Sequence, residues 1–184
     1  MKKLEKIICI ALICLIILVA IIKIFNIDKE ILKNIYPKKY EEYSKEYNVE
    51  PLIVFSVIKA ESNFKKDAKS SSGAKGLMQL MDATAEEMAN KIDTSVAEEE
   101  SLFDPEKNIM IGVRYYSELL DMYEGNMLLA LTAYNAGIGN VNSWITQGII
   151  KKDGSDIENI PYKETNMYVR KIINNYKMYQ KIYN

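Results

Sequence analysis

The N-terminal apolar run places the strongest constraint on how this chain can fold. Residues 7–25 are apolar apart from Lys23, and three lysines precede them. These nineteen residues, as a helix rising about 1.5 Å per residue, reach just under the roughly 30 Å of a bilayer's hydrocarbon core. We therefore predict that residues 1–25 form one N-terminal transmembrane helix, which holds the chain in the cell membrane as a single-pass protein.

A cleaved signal peptide is the alternative interpretation of the same run. No small-x-small cleavage site is evident near its end, where Leu18-Val19-Ala20 is followed by further isoleucines. A lipoprotein is disfavoured, because neither Cys9 nor Cys14 follows a small residue. Lysines also follow the run, so charge does not fix its orientation. The placement of the remaining chain on the outer side of the membrane therefore has to rest on its function.

The composition divides the chain of 184 residues into three parts. After the anchor, residues 26–44 are a mixed, charged connector, predicted to be helical on either side of Pro37. Residues 45–184 are enough for one domain that buries its own core. Within that domain the short acidic run 98–100 is expected to be a solvated loop.

Several classes of function are excluded by composition. The 24 basic and 25 acidic residues nearly balance, which gives no reason to expect a nucleic-acid partner. The chain has no histidine, and its two cysteines lie inside the apolar run. Ser-His-Asp and Cys-His catalysis and zinc sites built on His or Cys are therefore excluded from the soluble part. No metal or organic cofactor is indicated, and carboxylate chemistry remains.

Glu61 has the surroundings of a carboxyl group that keeps its proton. It follows the apolar run 52–60, and a helix is predicted to begin near Glu50-Pro51. Glu61 then shares a face with Val57 and lies at the helix's C-terminal end. Burial and the negative end of the helix dipole both favour the protonated form. Such a group can protonate a leaving oxygen, although a solvated glutamate in the last helical turn is the plainer interpretation.

Apolar residues at helical spacing predict a mainly α domain. The polar, small residues 63–75 predict a loop, and Asp104-Pro105 predicts a helix start. The predicted buried stripes are Leu77, Leu80, Met81, Thr84 and Met88; Ile109, Val113, Tyr116, Leu120 and Tyr123; Leu128, Leu131 and Tyr134; and Tyr168, Ile172, Tyr176, Tyr179 and Tyr183.

Four segments carry a resemblance to a known family. They are Glu61-Ser62 with Ser70 nine positions on, Gly73-Ala74-Lys75-Gly76-Leu77-Met78-Gln79, Ala133-Tyr134-Asn135-Ala136-Gly137, and residues 161–169. In this order they resemble the lytic transglycosylases of the soluble-lytic-transglycosylase (SLT) type, over about residues 45–181. The resemblance implies a lysozyme-like helical domain. Asp82 departs from the family pattern, in which Met81 is followed by proline, and this concerns a helix start rather than the chemistry.

The resemblance also implies a set of site residues. Glu61 corresponds to the catalytic residue of the family, and the substrate-binding positions are Ser62, Ser70, Met78, Gln79, Tyr134, Asn135 and Tyr168. Structural alternatives stand beside three of them: a turn serine for Ser70, and core packing for Met78 and Tyr134. Tyr162 corresponds to a further position that closes the cleft, and Trp144 is expected to pack rather than to hold a sugar.

The implied activity is that of a carbon-oxygen lyase acting on peptidoglycan glycan strands. Glu61 would protonate the β-1,4 bond between N-acetylmuramic acid and N-acetylglucosamine, then act as base while the muramyl 6-hydroxyl attacks C1, giving a 1,6-anhydro product. Asp67, the second acidic residue considered, lies in the predicted loop, and hydrolases normally need two carboxyl groups. A lysozyme-like muramidase and a non-catalytic wall-binding module are the alternatives. Secretion, conjugation or division machinery are the partners that such anchored enzymes suggest.

Overall fold

The computed structural model describes residues 2–35, 39–96 and 101–183. The chain divides into two compact units, Met1–Lys38 and Lys39–Asn184. The first contains one helix, α1 (Lys2–Ile35), within which Lys6–Lys23 is long and apolar enough to cross a membrane. The predicted transmembrane helix is therefore present as a helix, and its length and composition are those of a span. Pro37 and the acidic run 98–100 lie outside the described residues.

The second unit is helical throughout its regular structure in the part of the chain described. Its helices are α2 (Lys39–Glu46), α3 (Pro51–Glu61), α4 (Asp82–Lys91), α5 (Pro105–Met122), α6 (Met127–Ala136), α7 (Ile138–Thr146) and α8 (Lys163–Tyr183), with short 3-10 turns at Ser101–Phe103 and Ile157–Asn159. Isolated bridges pair Lys75 with Lys69 and with Leu80 in the loop between α3 and α4. The prediction of a mainly α domain is confirmed.

Side-chain caps explain where three helices begin. The Glu50 carboxylate accepts a hydrogen bond from the backbone N–H of Ile53 at 3.0 Å, and Pro51 is the first residue of α3. Asp104 caps α5 in the same way through the N–H of Lys107, at 2.8 Å. Both helix starts agree with the sequence prediction. Asn126 caps α6 by accepting from two backbone amides, each at 3.1 Å.

The core is formed by the buried faces of α3, α5, α6 and α8, and α6 packs against both α5 and α8. Helix α3 packs mainly against α8, and α5 packs against α2, α4 and α6. Phe55 of α3 meets Tyr179 of α8 edge to face, with ring centroids 4.6 Å apart. The buried side chains include Val54, Val57 and Ile58 on α3, Ile109, Val113 and Tyr116 on α5, and Val169, Ile172 and Tyr179 on α8. This burial fixes the end of α3, and with it Glu61, against α8.

One helix begins later than its apolar spacing predicts. The stripe from Leu77 to Met88 indicated a helix through Gln79, whereas α4 begins at Asp82 and residues 76–79 form a turn. Gly76 and Gln79 both have positive φ angles, +76° and +48°, which an α-helix does not allow. Leu77 is buried despite the turn, but Met81 is 46% exposed and does not belong to a buried stripe.

Candidate active site

Glu61 is the last residue of α3 and lies beside α8. The Tyr168 hydroxyl, from α8, donates a hydrogen bond of 2.7 Å to one carboxylate oxygen of Glu61. Tyr168 itself is only 8% exposed. The bond joins two residues that lie 107 positions apart in the sequence. The packing of α3 on α8 therefore determines the orientation of the Glu61 carboxyl group.

Burial raises the pKa of Glu61 from its ordinary value of 4.5 to about 7. The hydrogen bond from Tyr168 and the Lys171 ammonium each oppose this rise, because both stabilise the carboxylate, and the charge of Glu164 reinforces it. A carboxyl group with a pKa near neutrality is present in both protonation states at physiological pH. It can therefore give a proton in one step and accept one in the next.

The loop after α3 is held together by its own side chains. Ser70 Oγ accepts a hydrogen bond from the N–H of Ala74 at 3.0 Å. The Gln79 side-chain NH₂ donates to the backbone carbonyls of Ala68, at 3.0 Å, and of Gly76, at 2.9 Å. Both amide donors of Gln79 are thus used within the loop, which leaves its amide oxygen as the group able to bind a ligand. The side chains of Ser70 and Gln79 therefore stabilise the conformation of this loop.

Met78 contributes its backbone to the site while its side chain lies in the core. The side chain has no exposed surface, and a Cβ at Gly112 of α5 would overlap its sulfur atom. The Met78 carbonyl accepts a hydrogen bond of 2.8 Å from the Tyr134 hydroxyl. Its N–H donates to the Asn108 side-chain oxygen at 2.7 Å. The position agrees with the core alternative considered for this methionine.

Asn108 of α5 organises the loop from beneath. It is fully buried, and its NH₂ group donates to the carbonyls of Lys75, at 3.0 Å, and Leu102, at 2.9 Å. A side chain on Gly76 would overlap the same groups, so glycine is required there. With the bond to Met78, one buried amide makes three hydrogen bonds and fixes the turn at residues 76–79.

The end of α6 brings Tyr134 and Asn135 to the site. The Tyr134 hydroxyl bonds to the Met78 carbonyl rather than to Glu61. Burial is the main cause of the raised pKa of this hydroxyl, and the charge of Glu61 adds to it. Asn135 is exposed, and its side-chain oxygen accepts a 2.7 Å hydrogen bond from the Thr165 hydroxyl of α8. Gly137, with a φ of +86°, ends α6 immediately afterwards.

A cavity of about 470 Å³ opens next to these residues. It is lined by Asn135, Ala136, Pro161, Tyr162, Lys163, Glu164 and Thr165. Tyr162 is 49% exposed and meets Trp144 edge to face, at a centroid distance of 4.9 Å. Trp144 is 7% exposed, so its role as a packing residue is confirmed. The lining is mainly polar, and Tyr162 is its aromatic side chain.

The structure brings some of the predicted site residues together and separates others. Glu61, Tyr168, Tyr134 and the Met78 carbonyl converge at one place. Ser62 lies beside Glu61 in the chain, but it is buried and its hydroxyl donates back to the Ile58 carbonyl at 3.1 Å. Its hydroxyl therefore stabilises the end of α3. Among the described residues, no cluster of three or more His, Cys, Asp or Glu side chains could hold a metal ion.

Sequence reasoning missed four residues that matter to the site. Asn108 could have been found as a polar residue beside Ile109 at the start of an otherwise apolar stripe. Lys171 and Glu164 are three and four positions from Tyr168, so helical spacing places all three on one face of α8. Glu164 is also a second carboxyl group within the C-terminal motif, whereas from the sequence only Asp67 was considered beside Glu61. No sequence signal indicated that Thr165 would hold Asn135.

Comparison with known proteins gives a consistent result. Residues 38–157 match the family described as the transglycosylase SLT domain. The chain is 30% identical over 144 residues to the soluble lytic murein transglycosylase of Escherichia coli, covering 75% of this chain and 22% of that protein. It is 28% identical over 192 residues to the membrane-bound lytic murein transglycosylase C of Edwardsiella ictaluri, covering 86% of this chain and 52% of that one.

A solved structure shows the same fold. An inactive variant of lytic transglycosylase Slt from Pseudomonas aeruginosa, in which glutamine replaces a glutamate, superposes with a TM-score of 0.71 at 34% sequence identity. The alignment covers 82% of this chain and 25% of that one. This chain spans about a quarter of the length of that relative and of the E. coli protein. By sequence and by fold, it belongs to the transglycosylase SLT domain family.

Proposed function

We propose that this protein is a membrane-anchored peptidoglycan lytic transglycosylase that cleaves the β-1,4 bond between N-acetylmuramic acid and N-acetylglucosamine. The observation that carries the proposal is the Glu61 carboxyl group, half-buried at the end of α3, hydrogen-bonded by Tyr168 and with a pKa of about 7. Relatives at about 30% identity are lytic murein transglycosylases, and a glutamate-to-glutamine change accompanies inactivity in one solved member.

In the proposed reaction, one carboxyl group carries out both proton transfers. Protonated Glu61 donates to the glycosidic oxygen as the bond from that oxygen to C1 of the muramyl residue breaks. The muramyl 6-hydroxyl then attacks C1, and the Glu61 carboxylate accepts its proton. The new bond between O6 and C1 closes the 1,6-anhydro ring, and Glu61 returns to its starting form. No water is consumed, so no second carboxylate is needed to activate one.

The remaining site residues hold the sugars and the acid in place. Tyr168 keeps the Glu61 carboxyl oriented, and its own raised pKa keeps its hydroxyl protonated as a donor. Asn135, fixed by Thr165, and the amide oxygen of Gln79 offer hydrogen bonds at the cleft surface. Holding the reacting groups in this orientation lowers the activation barrier, because less of their motion remains to be lost in the transition state.

A hydrolytic muramidase is the second candidate, and one observation favours it. Glu164 is exposed at the rim of the cavity, and its charge reaches Glu61, so the site does contain a second carboxyl group. A hydrolase would use such a group to activate water. The two reactions give products of different mass, because an anhydro-muramyl end is lighter than a reducing end by one water.

The membrane placement completes the proposal. Helix α1 has the length and composition of a span, and the E. ictaluri relative is membrane-bound. We place the domain on the cell-wall side, where its substrate lies. Protease added to intact spheroplasts should remove the domain while leaving the span protected, and mass spectrometry of the purified chain should find residues 1–25 still attached.

The test of the activity is mass spectrometry of the muropeptides released from purified peptidoglycan by the full chain in detergent micelles. Glu61→Gln is run beside it, since it preserves the shape of the side chain and removes the titrating proton. Anhydro-muramyl products that disappear in the variant would support the proposal. Reducing-end products would support the hydrolase, and wall binding without any released product would support a binding module.

A further inference from the structure

One face of α8 presents two opposite charges around the partner of Glu61. Glu164, Tyr168 and Lys171 follow one another at spacings of four and three, which places them on the same side of the helix. Tyr168 contacts Glu61 directly. The Lys171 ammonium donates a 2.9 Å hydrogen bond to the carbonyl of Ala60, the residue before Glu61. Tyr168 and Lys171 therefore contact the C-terminal end of α3, and Glu164 lies about one turn before Tyr168 on the same face of α8.

The end of α3 is a place where such charges act on Glu61. The last carbonyl groups of a helix lack partners within it and carry the negative end of the helix dipole. Lys171 satisfies one of these carbonyls and brings a positive charge next to the carboxyl group. That charge favours the carboxylate form of Glu61, whereas a negative charge at Glu164 favours the protonated form.

We propose that Lys171 and Glu164 are positioning residues that set, with opposite sign, the pH range over which Glu61 holds its proton. This inference rests on the proposed function, in which Glu61 acts first as an acid and then as a base. The midpoint of the pH range separates the protonated, acid form of Glu61 from its carboxylate, base form. Burial has the largest effect and raises the pKa of Glu61; Tyr168 and Lys171 lower it, and Glu164 raises it. Burial thus sets the pKa of Glu61, and the two charged residues shift this pKa in opposite directions.

Few other groups compete with these two charges. From α8, Glu61 is faced by Tyr168, Lys171 and Glu164, and from α6 by Tyr134. Burial is the largest of the effects that raise the pKa of both tyrosine hydroxyls well above its ordinary value. Both hydroxyls therefore stay neutral over the pH range in which Glu61 titrates. The chain contains no histidine. Within the described residues, the charged side chains that act on Glu61 near neutral pH are therefore those of α8, namely Lys171 and Glu164.

The test is a direct titration of Glu61 by NMR. The full chain, in detergent micelles and labelled with ¹³C at the glutamate side-chain carboxyl groups, is titrated between pH 4 and 10, and Glu61→Gln identifies the Glu61 signal. We expect Lys171→Met to raise the midpoint and Glu164→Gln to lower it. Because both residues are exposed, each shift should be about 0.2–0.7 of a pH unit, the equivalent of one exposed ion pair.

Two controls separate charge from structure. Lys171→Arg keeps the positive charge and should leave the midpoint where it is in the wild type. Arg170→Met removes a neighbouring cation that bonds to Asn166, and it should leave the midpoint unchanged. Raising the salt concentration should shrink both expected shifts, since exposed charges are screened. If the two variants moved the midpoint in the same direction, or neither moved it in a folded protein, the inference would be wrong.

The titration requires no substrate, so its outcome is independent of the activity assay. A wild-type protein that releases no muropeptides would refute the proposed function, while opposite shifts at Glu61 would still support the charge pair. An active wild type with no shift in either variant would refute the charge pair alone. If Lys171→Met failed to fold, Glu164→Gln and its downward shift would decide the question.

Discussion

Replacing Glu61 by glutamine should stabilise the domain at neutral pH while removing its proposed activity. In the folded state the pKa of this carboxyl group is about 7, and its ordinary value is 4.5. This difference of roughly 2.5 in pKa, at about 1.4 kcal/mol for each pKa unit, corresponds to about 3–4 kcal/mol. This is the free energy that the folded protein loses by holding Glu61 where it is poorly solvated, and an uncharged glutamine avoids that loss.

The sign of the effect depends on pH. Below about pH 4.5 the carboxyl group is protonated in both states, and its raised pKa has no effect on stability. Between pH 4.5 and 7 the unfolded chain releases the proton while the folded protein keeps it, so the wild type loses stability as the pH rises. Above pH 7 the loss is complete. The advantage of Glu61→Gln should therefore be near zero at pH 4 and about 3–4 kcal/mol at pH 8.

Trp144 provides the assay. It is the sole tryptophan of the chain and is 7% exposed within the domain. Its fluorescence should follow urea unfolding of both proteins, in detergent micelles, across this pH range. Glu86→Gln is the matched control, because it removes an exposed glutamate on α4 and should give no pH-dependent gain. A gain for Glu61→Gln that is equal at pH 4 and pH 8, or absent at both, would refute the electrostatic argument.

Three further substitutions test other contacts. Tyr168→Phe removes the hydrogen bond to Glu61, so muropeptide release should fall about 10- to 100-fold and the pKa of Glu61 should rise; an unchanged rate and pH profile would contradict this. Tyr116→Phe should raise stability in urea by about 1 kcal/mol, because within the described residues this buried hydroxyl has no hydrogen-bond partner; a loss would indicate an unseen partner. Asn108→Ala should lower stability by roughly 2–4 kcal/mol, since it leaves the N–H of Met78 and two carbonyls unsatisfied; a loss under 1 kcal/mol would contradict the role given to this amide.

Local signals in the sequence were enough to predict the start of α3 and of α5. Glu50 and Asp104 are cap residues followed by proline, and such a pattern acts over a few residues only. The apolar environment of Glu61 was also predictable, because the apolar run immediately before it places Glu61 on the same helix face as apolar side chains. The likeness of four motifs to a family then placed Tyr134 and Tyr168 near it.

Long-range contacts were beyond this kind of reasoning. Whether Tyr134 or Tyr168 bonds to Glu61 depends on how α6 and α8 pack, and spacing along each helix does not determine that packing. The turn at residues 76–79 carries an apolar pattern that also fits a helix. Its form is imposed by Asn108, which lies 30 positions beyond Met78 in the sequence. The tertiary contacts outweighed the local preference there.

The hydrogen bond between Tyr168 and Glu61 has a consequence for the order in which the protein is made. Its two partners lie 107 positions apart, so α3 leaves the ribosome long before α8 is synthesised. Until α8 is complete and packed, the proposed acid lacks its orienting hydroxyl and most of its buried surroundings. A chain interrupted anywhere before α8 should therefore be inert toward the wall. For a protein proposed to cut the wall of its own cell, catalytic activity is therefore expected only once the last helix of the domain has been made and packed.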